Sequence, residues 1–330
     1  MWDSVLGHQQ NKEFLMRYLK AGERPHALLF CGGEGLGKRQ LALHFAKTLL
    51  CFNQNGSDKC ESCRLLNLDD GNLSHPDFIF LEPEEGAKNI KIEQIKELIN
   101  QSAFGPTMSQ NKVCIVDKAD TMTTEAANSF LKLLEEPPEG WVIIMLAASE
   151  NKLLPTILSR VVKLRFSPVA VSDVKQILSA QGINAIEARV LASISEGSIG
   201  MALTLHQQGV FDSRQQAVAF LEALPLNAPV NYLANRSWID KPDKDKAFLL
   251  VKNLQLLLRD MLFLKIGLPD ELYNCDLKDN LALLGKDWNY RSLKSALGEV
   301  NFAYEALASS VSPKLALEAM ALKIDKFRKE

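Results

Sequence analysis

Three observations predict an α/β fold with a parallel sheet covered by helices on both faces, followed by an all-helical region. Short, wholly apolar runs at 27–31, 113–116 and 141–146 alternate with helix-period segments through the first half of the chain. A glycine-rich turn stands between the first of these runs and a helix. Beyond Ser167 and Pro168 the apolar residues recur at helical spacing.

Ala27, Leu28, Leu29, Phe30 and Cys31 form the first strand, and Leu41, Ala42, Phe45, Ala46, Leu49 and Leu50 mark the helix after the turn. Between them, Gly32-Gly33-Glu34-Gly35-Leu36-Gly37-Lys38 fits the phosphate-loop pattern G-x-x-x-x-G-K. Backbone N–H groups and the lysine of such a loop cradle phosphates, which makes Gly32, Gly35, Gly37 and Lys38 candidate nucleotide-binding residues. The next position calls for a Ser or Thr hydroxyl on Mg²⁺, and Arg39 stands there. A guanidinium cannot ligate a cation. The architecture of a nucleotide site is therefore expected with part of its chemistry missing. Binding of ATP or ADP without hydrolysis stays open, and Lys38 either holds phosphates, fills an empty site or pairs with Asp117.

The next segment is polar and turn-rich, with Asn53, Asn55, Gly56 and Ser57. It carries Cys51, Cys60 and Cys63, spaced as in a small zinc-held knuckle. A structural zinc site takes four ligands. Leu66 occupies the next x2 position, which leaves His75, Asp69 or Asp70 as the fourth ligand, or three thiols with no metal. Cys31 and Cys114 read as small core residues on apolar strands.

Phe78-Ile79-Phe80-Leu81 is the next strand; Ile92, Ile95, Leu98 and Ile99 mark a helix; Val113-Cys114-Ile115-Val116 is a buried strand ending at Asp117. An Asp at that place holds Mg²⁺ through water in nucleoside triphosphatases, or else it is a strand-end turn residue. Its neighbour, where a general base would stand, is Lys118, and an ammonium cannot take that part. A helix is predicted over 123–135, stopped by Pro137 and Pro138, then a strand over 141–146 and a helix turn over 156–160. Val162 to Phe166 reads as a last strand.

Composition sets the outer bounds. With 330 residues, 47% hydrophobic and 24% charged, the chain has material for two or three domains. Its longest apolar run, near 141–148, is too short to span a membrane, and residence in the cytoplasm is the expectation. A net charge of −2 argues against gripping nucleic acid by bulk electrostatics alone. The six cysteines of a cytoplasmic chain are not expected to pair as disulfides.

The motifs together resemble the clamp-loader branch of the AAA+ proteins. The resemblance rests on Asp117-Lys118-Ala119-Asp120, Ala126-Ala127-Asn128, Leu131-Lys132 and Leu134-Glu135-Glu136-Pro137-Pro138, and on the cysteine insert followed by His75-Pro76-Asp77. Leu154-Pro155-Thr156-Ile157-Leu158-Ser159-Arg160 completes it. It covers the first 205 residues firmly and the remainder by length and helical character. It implies an AAA+ domain over 1–166, a helical lid over 167–205 and an all-α collar over 206–330 that packs beside those of other subunits. Helical stripes at Phe248, Leu249, Val251, Leu254, Leu257, Leu258, Met261, Leu262 and Leu264, and at Leu315, Leu317, Met320, Ala321 and Ile324, are expected core of that last part.

Family members carry Ser-Arg-Cys, whose arginine enters the ATP site of the neighbouring subunit; here it reads Ser159-Arg160-Val161. The resemblance makes Arg160 a catalytic residue in trans. The alternative is an arginine that caps its helix and pairs with a surface carboxylate. Motor members also carry a phosphate-sensing lid arginine, and Gly200 stands at the matching place. Arg39, Lys118 and Gly200 together imply a non-hydrolysing subunit. Its implied partners are ATP-hydrolysing tau or gamma subunits, a delta subunit, the sliding clamp and primed DNA. An ATP-hydrolysing motor of the tau or gamma kind and an AAA+ adaptor outside replication are the alternatives. Lys132 reads as a DNA-phosphate contact or a solvated helix lysine.

Overall fold

The computed structural model describes every residue except 1, 3, 4, 6, 22–24, 54, 55, 57–59, 69, 70, 225–242, 310, 330 and the side chain of Lys329. The chain divides into two compact units, Met1–Asp173 with Gly197–Met201, and Val174–Glu196 with Ala202–Glu330.

The first unit is built on strands β1 (Ala27–Cys31), β4 (Phe78–Leu81), β5 (Lys112–Val116), β6 (Trp141–Ala147) and β7 (Val162–Arg165), in the order β4-β5-β6-β1-β7. Every pairing in this sheet is parallel. Its central strands are buried along their whole length, so both of their faces must be apolar. Alternate residues serve opposite cores. Leu28, Phe30, Ile115 and Ile144 meet Leu41, Phe45 and Leu49 of α2 (Lys38–Leu50) and Leu15 and Tyr18 of α1 (Gln9–Lys20). Leu29, Cys114, Val116 and Ile143 meet Ile95 and Leu98 of α4 (Ile92–Ser102), Phe130 of α5 (Thr124–Glu135) and Ile157 of α6 (Pro155–Leu158). Cys31 and Cys114 lie in this second core, and burial pushes the Cys114 thiol up to about 12.

Local rules account for the ends of these elements. Thr123 caps α5 by accepting the Ala126 N–H, and Pro137 stands two residues past its end. The helix turn expected over 156–160 is α6, so Arg160 lies just beyond the helix end. The cysteine segment, read from sequence as an irregular insert, contains a short helix, α3 (Glu61–Leu65), and an antiparallel pair, β2 (Leu66–Asn67) with β3 (Asn72–Leu73). Two-residue strands are too short to show a period, which is why the pattern missed them. Its residues Asn55 and Ser57 lie outside the described residues.

The helices that follow are α7 (Val171–Ala180), α8 (Ala185–Ile194), α9 (Ile199–Gln207), α10 (Val210–Glu222), α11 (Lys244–Lys265), α12 (Lys278–Leu284), α13 (Tyr290–Ala308) and α14 (Pro313–Lys329). The apolar faces of α10, α11, α13 and α14 enclose one core in the second unit, with Val251, Leu254, Leu257, Leu258 and Met261 at its centre. Leu317, Met320, Ala321 and Ile324 join it as expected. Leu315 does not: it is 61% exposed, two positions from Leu317 and so on another face of the helix. No helix among the described residues is long and apolar enough to cross a membrane.

Candidate functional site

All five parallel strands end on one edge of the sheet, and the chain turns there into the candidate nucleotide-site residues. The glycine loop follows β1, which the chain leaves for the far edge of the sheet, so the loop lies at a topological switch point. Glu82 follows β4 and Asp117 follows β5, whose ends are joined by the Asp117 N–H donating to the Leu81 carbonyl at 2.8 Å. The fold thus gathers residues 32–39, Glu82 and Asp117.

Of the alternatives offered for Lys38, the single chain has the lysine filling its own loop, while Arg39 takes Asp117. The Lys38 ammonium donates to the carbonyls of Gly32 and, at 2.6 Å, of Gly33, both in its own loop. Burial lowers its pKa, while Asp117, the Cys31 thiol and Glu34 act in the opposite sense. The ion partner of Asp117 is Arg39, not Lys38. Arg39 Nη1 lies 3.4 Å from the Asp117 carboxylate and 3.2 Å from that of Glu82, with its guanidinium 4.4 Å above the Phe80 ring. A fixed positive charge therefore faces the carboxylate that would hold a cation. Lys118 takes a left-handed conformation, φ 53°, and its N–H donates to Asp117 Oδ1 at 2.8 Å.

Residues 197–201 of the same unit lie against the loop. The Gly200 N–H donates to the Gly35 carbonyl at 3.0 Å, and the Ser198 hydroxyl donates to the Glu34 carbonyl at 3.3 Å. A Cβ at Gly200 would stand 2.9 Å from the Gly35 oxygen, and one at Gly35 would stand 2.3 Å from Ser198 Oγ. Backbone meets backbone, which leaves no room for an arginine side chain at 200.

Arg160 belongs to the other end of the sheet. It precedes β7, whose Val162 is in register with Leu28 near the start of β1, and it meets Glu135 just before β6. Five residues of strand, roughly 16 Å, separate this amino edge from the phosphate loop. Arg160 Nη2 lies 2.7 Å from Glu135 Oε1, and Nη1 donates to the Thr156 carbonyl at 2.9 Å and to Ser159 Oγ at 3.2 Å. The capping and ion-pair geometry that the sequence offered as an alternative is thus present in the single chain. Lys132 sits on α5, and the structure adds no partner that distinguishes its two readings.

In the cysteine segment the Sγ atoms of Cys51, Cys60 and Cys63 all lie within 4.8 Å of one another. Cys51 and Cys60 Sγ are 3.8 Å apart. Two thiolates on one tetrahedral zinc, with bonds of about 2.3 Å, stand about 3.8 Å apart, so these residues fit a thiophilic cation. Leu66 at the fourth position of the spacing is buried in the apolar core.

His75 is committed elsewhere. Its Nδ1 accepts the Asp77 N–H at 3.0 Å, which puts the proton of the neutral ring on Nε2, 3.0 Å from Ser62 Oγ and 3.3 Å from Ser109 Oγ. Both hydroxyls donate in turn to the Leu50 carbonyl, at 2.7 and 2.8 Å. Burial lowers the His75 pKa against the pull of Asp77, which keeps the ring neutral. Both ring nitrogens are engaged, which removes His75 as a fourth ligand. Asp69 and Asp70 lie outside the described residues.

Asp77, a residue that sequence reasoning quoted without assigning it work, ties the next loop. Its Oδ1 accepts from the Thr107 N–H at 2.7 Å and hydroxyl at 2.9 Å, and its Oδ2 from the N–H groups of Met108 at 2.8 Å and Ser109 at 2.7 Å.

Residues 7–170 match the family model described as DNA polymerase III, delta subunit. The DNA polymerase III subunit delta' of Bacillus subtilis is 30% identical over 301 residues, 90% of either chain. The chain belongs to the delta-prime family of DNA polymerase III clamp-loader subunits. The delta' subunit of Pseudomonas aeruginosa is 35% identical over 204 residues, which span 61% of this chain and 62% of that one. Among solved structures, a DNA polymerase III gamma subunit-related protein from Thermotoga maritima shares the fold at a TM-score of 0.50 and 19% identity, over 97% of this chain and 100% of the other. The glycine loop and Asp117 of this delta-prime family member sit at the carboxyl ends of its parallel strands.

Proposed function

We propose that this chain is a non-hydrolysing clamp-loader subunit that lends Arg160 to the ATP site of a neighbouring tau or gamma subunit. With that neighbour and a delta subunit it helps place the sliding clamp on primed DNA in the cytoplasm. The observation that carries this reading is the separation of Arg160 from the chain's own phosphate loop by the length of the sheet. An arginine there can meet a phosphate only on another molecule. Three further features support it: Arg39 facing Asp117, Lys118 in the place of a base, and the close Gly35–Gly200 approach. Its domains are an AAA+ domain over 1–166, a lid over 167–205 and a collar over 206–330.

Phosphate release by the isolated chain tests the first half of this reading, and none above the buffer rate is expected with Mg²⁺ and ATP. Arg39→Thr supplies the missing hydroxyl and frees Asp117, so it should tighten binding of Mg²⁺-ATP, read by fluorescent-nucleotide displacement. Hydrolysis should still be absent because Lys118 remains. Turnover by the wild-type chain would favour an ATPase motor. Copurification without other clamp-loader subunits would favour an adaptor outside replication.

The three thiolates would hold a zinc ion, which would fasten the end of α2 to α3. About one zinc per chain is expected by elemental analysis, with loss of metal in Cys60→Ser. Metal-free wild-type protein purified without chelator would leave three thiols and no site.

A further inference from the structure

We infer that Glu135 is a latch: it holds the Arg160 guanidinium against its own subunit and yields it only to the terminal phosphate of a nucleoside triphosphate on the neighbour. This deepens the proposed function and rests on the reading of Arg160 as a residue acting in trans.

Glu135 and Arg160 come from different elements, the last residue of α5 and the turn after α6, and meet at 2.7 Å. Neither element explains the acid on its own. The final residue of a helix faces the carbonyl end of the dipole, where a carboxylate is disfavoured and a cation is preferred. Glu135 therefore contributes little to the stability of α5 by itself. Its electrostatic compensation is the guanidinium of Arg160.

The other contacts of Arg160 fix its reach. Nη1 is held by the Thr156 carbonyl four residues back and by Ser159 Oγ next to it in sequence, and Nη2 is held by Glu135. The backbone carbonyl and the hydroxyl are neutral acceptors, whereas the carboxylate makes a charge-assisted bond of the kind a phosphate oxygen also makes. The two anions draw on the same guanidinium and repel each other, so a phosphate is engaged at the expense of the Glu135 pair.

Both partners are partly solvated, with Arg160 35% and Glu135 48% exposed. Solvated pairs of this kind shift an equilibrium by up to about fivefold. That is strong enough to hold the arginine aside in the free subunit and weak enough for a triphosphate to displace. Glu135 is thus a positioning residue that raises the threshold for engagement of a neighbour's site.

The test uses the reconstituted clamp loader with sliding clamp and primed DNA, its ATPase kcat/KM being measured with the wild-type chain, Glu135→Gln, Arg160→Ala and the double variant. Glutamine keeps the size of the side chain and removes its charge. A rise of about two- to fivefold is expected for Glu135→Gln, and no rise when the same change is made in the Arg160→Ala background. A merely structural role at the end of α5 would change the rate in both backgrounds alike. If Arg160→Ala lowers the rate while Glu135→Gln leaves it unchanged or reduces it, the latch is wrong and the trans arginine stands. If Arg160→Ala has no effect, the reading on which the latch rests fails with it. Light scattering on each assembly confirms equal subunit content.

Discussion

Replacing Arg160 by alanine is expected to lower the DNA-stimulated ATPase rate of a clamp loader reconstituted with tau or gamma, delta and sliding clamp by about 10³-fold at each site the chain adjoins. An arginine supplied in trans neutralises charge that grows on the transferring phosphoryl group, and in the dry environment of a subunit boundary that interaction is large. The isolated chain should fold and assemble unchanged. Its loss is confined to an ion pair with Glu135 that is half in solvent and to a cap on the four-residue helix α6. Arg160→Lys should restore little, because an ammonium lacks the planar fork that grips two phosphate oxygens. Steady-state phosphate release gives the rate and sizing chromatography the composition. An undiminished rate with the complex intact would sink the finger and leave a structural subunit.

The second large effect is on stability. Asp77 is fully buried, and its two oxygens accept three backbone N–H groups and one hydroxyl from residues 107–109. Asp77→Ala strands those donors in the interior, and a cost of about 3 kcal/mol is expected. Asn is no remedy, since its amide NH₂ would face donors. Burial works to raise the carboxyl pKa, but the N–H groups of Thr107, Ser109 and Met108 outweigh it and hold Asp77 below the usual carboxylate range. A group with a depressed folded pKa contributes stability that is complete above its unfolded pKa, about 3.9, and is lost as pH falls through the lower folded value. Wild-type protein should therefore lose stability more steeply than the Ala variant as pH drops below about 4. Amide exchange of residues 107–109 in the full chain gives a local readout. Equal protection in the two proteins at pH 7 would refute the assignment.

How much of this was legible in the sequence depends on distance along the chain. The sheet was, because wholly apolar runs at 27–31, 113–116 and 141–146 leave no polar face and so require cover on both sides. The stop of α5 was, because Pro137 cannot continue a helix. Loss of the Mg²⁺ hydroxyl at Arg39 was also plain, yet its new occupation was not. Glu82 is 43 residues away and Asp117 78, and only the parallel register of β4 and β5 brings both to it. That Lys38 bonds the carbonyls of its own loop was not legible either, because a sequence shows charged partners and hides backbone carbonyls. The same blindness applies to His75, whose spacing to the cysteines suggested a ligand while its ring bonds Asp77, Ser62 and Ser109. Helix α1 went unread, since only Leu15 and Tyr18 of its twelve residues are buried.

If the chain is the non-hydrolysing subunit proposed above, the approach of Gly35 and Gly200 makes that state hard to leave. A lid arginine at 200 would demand that the loop backbone retreat, because the Gly35 carbonyl stands 2.9 Å from where the first side-chain carbon must go. A retreat would break the Gly200 hydrogen bond and unseat Ser198 at the same time. Placing a lid arginine at 200 thus requires a coordinated change in the loop rather than a single substitution that keeps this packing. The geometry thus couples position 200 to the loop backbone, a constraint of shape that the two glycines do not reveal in sequence alone.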